Sequence, residues 1–268
     1  MSKVMVKLTN LYKTFNPGTV NAKTALNGLE LELNEGDFVT VIGGNGAGKS
    51  TMLNAIAGVW KPDLGTIEID GVDVTKMPEY KRAKFLGRVF QDPMKGTAPD
   101  MEIAENLAIA ARRGKKRFFK WGCTKKEKEE YKKLLEQLGL GLESRLTSKV
   151  GLLSGGQRQA VTLLMATLVK PKLLLLDEHT AALDPKTAQK VLEITDKIVT
   201  ENNLTTLMIT HNMQDAITHG NRLIMMHEGK IIIDVGGEEK KKLTVEDLLE
   251  MFNKASGKKF VSDRAMLS

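Results

Sequence analysis

The sequence predicts an α/β protein, with a mostly parallel sheet, an antiparallel β subdomain and a helical subdomain. Three observations carry that prediction. Phe38–Ile42 (FVTVI) is a short β-rich apolar run that ends in glycines and leads into a helical stretch at Lys49–Ala57. Residues 173–176 are four leucines before an acidic pair, and an uninterrupted apolar run suits a strand covered on both faces of a parallel sheet. Strands then alternate with helices of apolar periodicity, the pattern of βαβ units.

The elements follow in order. Residues 4–8, 29–33 and 66–69 alternate apolar and polar with turn residues between them, which gives the antiparallel layer. Gly58 closes the helix at 49–57 as a C-terminal cap. Residues 100–150 hold no good strand and read as mostly helical. Helical periodicity returns at 157–169 and 187–199, and 205–209 and 223–226 read as further strands. Residues 238–242 (EEKKK) read as a charged hinge. Beyond it, Thr244 and Asp247 form a capping-box pattern, and Val245, Leu248, Leu249 and Phe252 share one helical face. The expected organisation is a main domain over 1–236, with a helical subdomain at about 92–165. The charged hinge and short helix at 237–268 follow it.

Composition sets limits. The chain has 268 residues, 41% hydrophobic and 27% charged, the balance of a globular protein with a full core. No apolar stretch is long enough to cross a bilayer, and residues 1–4 start no signal peptide. The lone Cys123 cannot form an internal disulfide, so a reducing cytosol is expected. The net charge of +7 is local: residues 112–133 alone carry +8, and the rest sums to −1. Overall basicity is therefore no argument for a nucleic-acid partner, and none is expected. The basic stretch, with Phe118, Phe119 and Trp121, suits either anionic lipid head groups or a solvated helix face.

The strongest chemical motif is Gly43-Gly44-Asn45-Gly46-Ala47-Gly48-Lys49-Ser50, placed between a strand and a helix. Its glycines let backbone N–H groups turn toward phosphate oxygens, and the helix aims its positive end at the same anion. Lys49 can reach the β- and γ-phosphates, and the Ser50 hydroxyl can ligate Mg²⁺. The leucine run delivers Asp177 beside that loop as an oxygen ligand for the metal. Glu178, one residue on, can orient and deprotonate a water. Residues 153–159 (LSGGQRQ) place Ser154, Gly155 and Gly156 at another helix N-terminus, a second anion site. One phosphate loop does not need two such sites on one chain, so a two-fold dimer is expected, each subunit covering the nucleotide of the other.

These residues identify a resemblance. Over about residues 4–236 the chain is similar to the ATP-binding subunit of an ABC transporter. The resemblance makes residues 43–51, through Thr51, the Walker A motif, 173–178 the Walker B motif with Glu178 as catalytic glutamate, and 153–157, through Gln157, the signature motif. It implies that Gln91 is the Q-loop glutamine, sensing Mg²⁺ and the γ-phosphate. Residues 181–184, ending in Asp184, match the D-loop, and His211 the switch histidine. Phe15 falls where the family stacks an aromatic on adenine, with Tyr12 as the alternative. Two positions depart from the pattern: His179 stands where Pro or Ala is more usual, with a packing role expected, and Ala181 stands where Ser is usual.

The resemblance implies ATP and Mg²⁺ as cofactors and a homodimer with ATP between subunits. The dimer would dock on a separate permease at the cytoplasmic face of the cell membrane. Residues 91–106 would form the docking groove, with Met94, Met101 and Ile103 lining it or packed in local core. Residues 178–185 and 93–99 are similar to a group of bacterial ATPases that travels with amino-acid-type binding proteins, some linked to tryptophan or tyrosine. The implied role is an importer with an extracytoplasmic binding protein. An exporter or lipoprotein-release ATPase, or a soluble iron–sulfur assembly ATPase, is the alternative.

Overall fold

The computed structural model describes residues 3–115 and 122–256. The expectations for Phe118, Phe119 and Trp121, and for the end of the tail, lie outside the described residues.

Alternation in the central strands decides the layering. In β7 (Leu173–Asp177), Leu173 and Leu175 enter one apolar cluster, while Leu174 and Leu176 enter another on the opposite face. All four are 0% exposed, as the unbroken leucine run requires, and burying each contributes about 1.5–3 kcal/mol. β3 (Phe38–Ile42) is likewise buried at every residue.

These strands belong to a six-stranded sheet of order β10-β9-β3-β8-β7-β6, completed by β6 (Leu86–Val89), β8 (Thr206–Ile209), β9 (Arg222–His227) and β10 (Lys230–Gly236). All its neighbours are parallel except β10, which runs antiparallel to β9. The antiparallel layer is a four-stranded sheet of order β2-β1-β4-β5, with β1 (Val4–Phe15), β2 (Lys23–Asn34), β4 (Leu64–Ile69) and β5 (Val72–Asp73). The first cluster fills the space between the two sheets around α1 (Lys49–Ala57). Arg82, at the end of the short α2 (Glu79–Arg82), is wholly buried and donates to the Ala55 and Ile56 carbonyls, which satisfies the last turn of α1.

The helical unit is α3 (Ile103–Ala110), α4 (Lys125–Glu136) and α5 (Gly155–Thr167), packed on the other face of the sheet. Among the described residues of 100–150 the only β feature is one bridge, Glu102 to Lys149. Ile103 is 0% exposed within this core, so it packs locally and does not line a groove; Met94 is exposed. Beyond β7 come α6 (Pro185–Glu201) and α7 (Met213–Thr218).

Three differences from the sequence reading have physical causes. The first two strands are 12 residues each, because their polar ends still pair across the hairpin up to Phe15 and Lys23. β6 went unread because Gly87 and Arg88 break its apolar pattern; Gly87 is where the Ala166 carbonyl packs, 2.4 Å from where a Cβ would stand. The stretch expected as a charged hinge is helical instead, α8 (Gly237–Lys242). Its Lys240 is buried and donates to the His219 and Gly220 carbonyls just past α7. The capping box at Thr244 and Asp247 opens α9 (Val245–Ser256), whose Leu248 and Phe252 are buried against β9 and α7 residues.

Candidate functional site

The carboxyl ends of four parallel strands finish at one level. Val89 pairs with Leu176, Asp177 with Ile209, and Ile209 with Val41. In an open parallel sheet the crevice outside these ends is where ligands bind. The loop at 43–48 leaves β3 here, Glu178 leaves β7, His211 follows β8 and Gln91 follows β6.

Two glycines show why the loop needs its sequence. Gly43 has φ +147 and Gly48 φ +102. A Cβ on Gly43 would stand 2.2 Å from the Met226 carbonyl oxygen, and one on Gly48 2.4 Å from that of Ala25. The backbone is thus wedged between β9 and β2. The turn after β9 ties it further, since Gly229 N donates to Ala47 O at 3.0 Å and Asn27 N to Gly229 O at 3.1 Å.

Lys49 is the first residue of α1 and is buried, with Nζ donating to the carbonyls of Gly43 and Gly44. Burial pulls its ammonium below the ordinary lysine value, and the Glu178 and Asp177 carboxylates oppose that shift. Asn45, Gly46 and Ser50 are exposed and Thr51 half-buried, so the loop's outer rim is open.

Asp177 is held from behind. Arg88 Nη2 lies 3.4 Å from its Oδ2 and donates to Asn54 Oδ1 at 2.8 Å. Sequence reasoning missed both residues, because an arginine inside an unread strand and an asparagine inside a helix carry no local signal. Glu178 sits at φ +46, a left-handed backbone that costs a residue with a side chain about 1–3 kcal/mol. Its N–H donates to Ile209 O at 3.0 Å, and its Oε2 lies 3.7 Å from His211 Nδ1.

His179 is buried, as a packing role requires, and also hydrogen-bonded to Thr195 of α6. Burial, and then the nearby His219, pull its imidazole down to about 4, against a raising influence from Asp196.

Other expected residues stand further out. Gln91 is exposed two residues beyond the end of β6. Phe15 ends β1 opposite Lys23, and its ring meets Trp60 edge-on at 5.3 Å. Lys23 Nζ in turn reaches Gly46, 2.8 Å from where a Cβ would stand, so Phe15 borders the loop. Tyr12 is committed elsewhere, its hydroxyl packed under Gly28.

Ser154 caps α5 through a reciprocal box with Gln157. α5 runs opposite to β6: Gln159 bonds Phe90 O near its start and Ala166 lies on Gly87 near its end. Its N-terminus thus emerges at the same edge of the sheet as the loop. Gln157 Nε2 donates to the Leu140 carbonyl, and Leu183 and Thr187 pack against Gly155 and Gly156. Asp184 caps α6 through the Thr187 N–H, and those hydrogen bonds hold its carboxyl below the usual range.

The donor set fits Mg²⁺ in one way. No group of three or more His, Cys, Asp or Glu able to hold a metal occurs among the described residues. Ser50, Asp177 and Gln91 offer hard oxygens, too few for a closed cage. Such a set suits a cation that takes its remaining ligands from phosphates and water.

Comparison with known proteins agrees with this geometry. The family profile described as ABC transporter matches residues 26–181. A tyrosine transport ATP-binding protein of Clostridioides difficile is 47% identical, over 94% of this chain and 100% of that one. A xylose/arabinose import ATP-binding protein of Sulfolobus acidocaldarius is 35% identical, over 92% and 93%. Among solved structures, a dimeric ATP-binding cassette in a post-hydrolysis state bound to ADP and Pi superposes with TM-score 0.73 at 31% identity, covering 87% of this chain and 98% of its own. A second cassette in its ADP conformation gives TM-score 0.75 at 28% identity, covering 94% and 99%. A glycine cradle, a buried loop lysine and two acids at a strand end, on a chain matched this widely, lead to one assignment: the chain belongs to the ABC transporter family, as an ATP-binding subunit.

Proposed function

We propose that this ATPase powers the import of tyrosine or a closely similar amino acid through a separate membrane permease. The observation that carries this reading is the 47% identity to the tyrosine transport ATP-binding protein over that protein's whole length. Relatives named for sugar import and for spermidine/putrescine import favour the inward direction. No described helix is long and apolar enough to cross a membrane, so the described residues supply no span of their own.

At the site, backbone N–H groups of 43–51 and Lys49 bind the phosphates, and Phe15 stacks on the base. Ser50, Asp177 and Gln91 hold Mg²⁺, which when bound neutralises phosphate charge. Glu178 takes the proton of the attacking water, and His211 contacts the γ-phosphate. Cassettes of this family work as dimers docked on permeases. The N-terminus of α5, where Ser154 and Gly155 are exposed and Gly156 and Gln157 stand behind them, covers the loop of the second copy, and Asp184 lies in the same interface. A cleft beside the edge strand β6, lined by Ala57, Glu79, Arg88, Phe90, Arg113 and Met165 from α1, α2, β6 and the helical unit, receives the permease. An extracytoplasmic binding protein delivers the substrate.

Two experiments test this. Glu178→Gln should abolish phosphate release while retaining ATP; hydrolysis at the wild-type rate would remove the assigned base. A mild-detergent pull-down from native cells should recover a multi-span protein and a lipoprotein that binds tyrosine. Recovery of soluble partners alone would overturn the import reading.

A further inference from the structure

We infer that His179 is a positioning residue for Glu178, tying the end of β7 to α6 through Thr195; this rests on the reading of Glu178 as the base.

The direction of the bond is fixed by its surroundings. His179 Nε2 lies 3.1 Å from Thr195 Oγ1. The Thr195 hydroxyl donates its own proton to the Val191 carbonyl at 2.8 Å, one turn back along α6. Oγ1 is therefore left as an acceptor, and the imidazole donates through Nε2–H. Both residues are buried, at 2% and 0% exposed, so no water competes for the bond.

What needs holding is the neighbour. Glu178 adopts φ +46, and such a conformation persists only where the surroundings over-determine it. Three restraints do so. Glu178 N donates to Ile209 O and Ala181 N to Glu178 O, both at 3.0 Å. These two are backbone contacts that many sequences could make. The third is the side chain of His179, which depends on residue identity. Its anchor is firm, because α6 has 17 residues, is capped by Asp184, and presents Thr187 against Gly156 of α5. Loss of the bond would free the β7 end and scatter the carboxylate, leaving the phosphate ligands at 43–51 untouched. Turnover should fall without loss of ATP affinity.

The test is steady-state ATPase assay of the purified full chain with saturating Mg²⁺, on His179→Leu, His179→Gln, Thr195→Val and Thr195→Ser. His179→Leu and Thr195→Val should each lower kcat tenfold or more with KM for ATP within twofold. His179→Gln, which keeps an N–H donor of similar reach, and Thr195→Ser, which keeps the acceptor, should stay within threefold of wild type. The His179→Leu/Thr195→Val double variant should fall no further than either single one. Should His179→Leu fail to fold, the near-isosteric Thr195→Val carries the test alone. A kcat within twofold of wild type in the Leu or Val variant would overturn the inference, as would His179→Gln falling as far as His179→Leu. Glu178→Gln, assayed in parallel, separates the two claims. Wild-type hydrolysis there defeats the base assignment and the inference with it. An inactive Glu178→Gln beside a fully active His179→Leu defeats the positioning role alone.

Discussion

His211 Nδ1 stands 3.7 Å from Glu178 Oε2, at the ends of two adjacent parallel strands. That separation is longer than a hydrogen bond, so strand register places the pair, with no bond between them. Removing the imidazole should therefore leave Glu178 where it is. His211→Ala is expected to lower kcat by about a hundredfold, the scale of one lost transition-state contact. Its melting temperature should match wild type; phosphate release and a thermal melt check the two halves of this statement.

Gly48→Ala should be far worse than Gly71→Ala. Both positions have positive φ, +102 and +74, so both pay for a left-handed alanine. Only Gly48 also meets a backbone atom, Ala25 O at 2.4 Å, whereas a Cβ at Gly71 has nothing within 4 Å. Gly71→Ala is expected to cost about 1 kcal/mol and to keep ATP binding. Gly48→Ala should lose ATP binding and more stability, as read by nucleotide titration and urea unfolding.

Trp60 should report nucleotide. It touches Phe15 edge-on and is itself 41% exposed, so a base stacking on Phe15 would change its surroundings. In a Trp121→Phe background, ATP and ADP should shift Trp60 emission, while inorganic triphosphate should not. Phe15→Ala should weaken ATP binding by about 1–2 kcal/mol, the scale of a lost aromatic stack.

Lys240 should give the fold a pH dependence. Burial, opposed by Asp196, lowers its ammonium from 10.5 to about 8. Between those values the unfolded chain binds the extra proton, so stability rises with pH across this window. Below about pH 8 both states are protonated and the penalty is present in full. Urea melts from pH 7.5 to 10 should show the rise, and Lys240→Met should flatten its slope.

The sequence made the catalytic edge legible and left its supports hidden. Lys49, Asp177 and Glu178 could be read because each chemistry is tied to a short pattern beside an apolar strand. The leucine run announced two-sided burial, and β7 has it. Arg88, which reaches Asp177, and Asn54, which accepts from Arg88, could not be read, since Arg88 meets Asp177 only through the pairing of β6 with β7, whose partners stand 87 residues apart in the chain. The hairpin of β1 and β2 is legible only at its open, apolar end, 4–8 and 29–33, because toward the turn the strands pair through backbone bonds that leave no pattern. Residues 238–242 looked like a linker by charge alone. Their helix is pinned by one lysine whose head reaches two carbonyls just beyond α7.

The common level at which β3, β6, β7 and β8 end makes the chain intolerant of length changes there. Deleting one residue inside β7 would draw Glu178 back by about 3.3 Å and turn alternate side chains to the opposite face. No substitution elsewhere could restore both distance and facing. The sheet therefore behaves as a set of rods cut to matched lengths, on which insertion or deletion is a different class of damage from substitution. Room for variation in length lies where no strand end is fixed, in the helical unit and beyond β10.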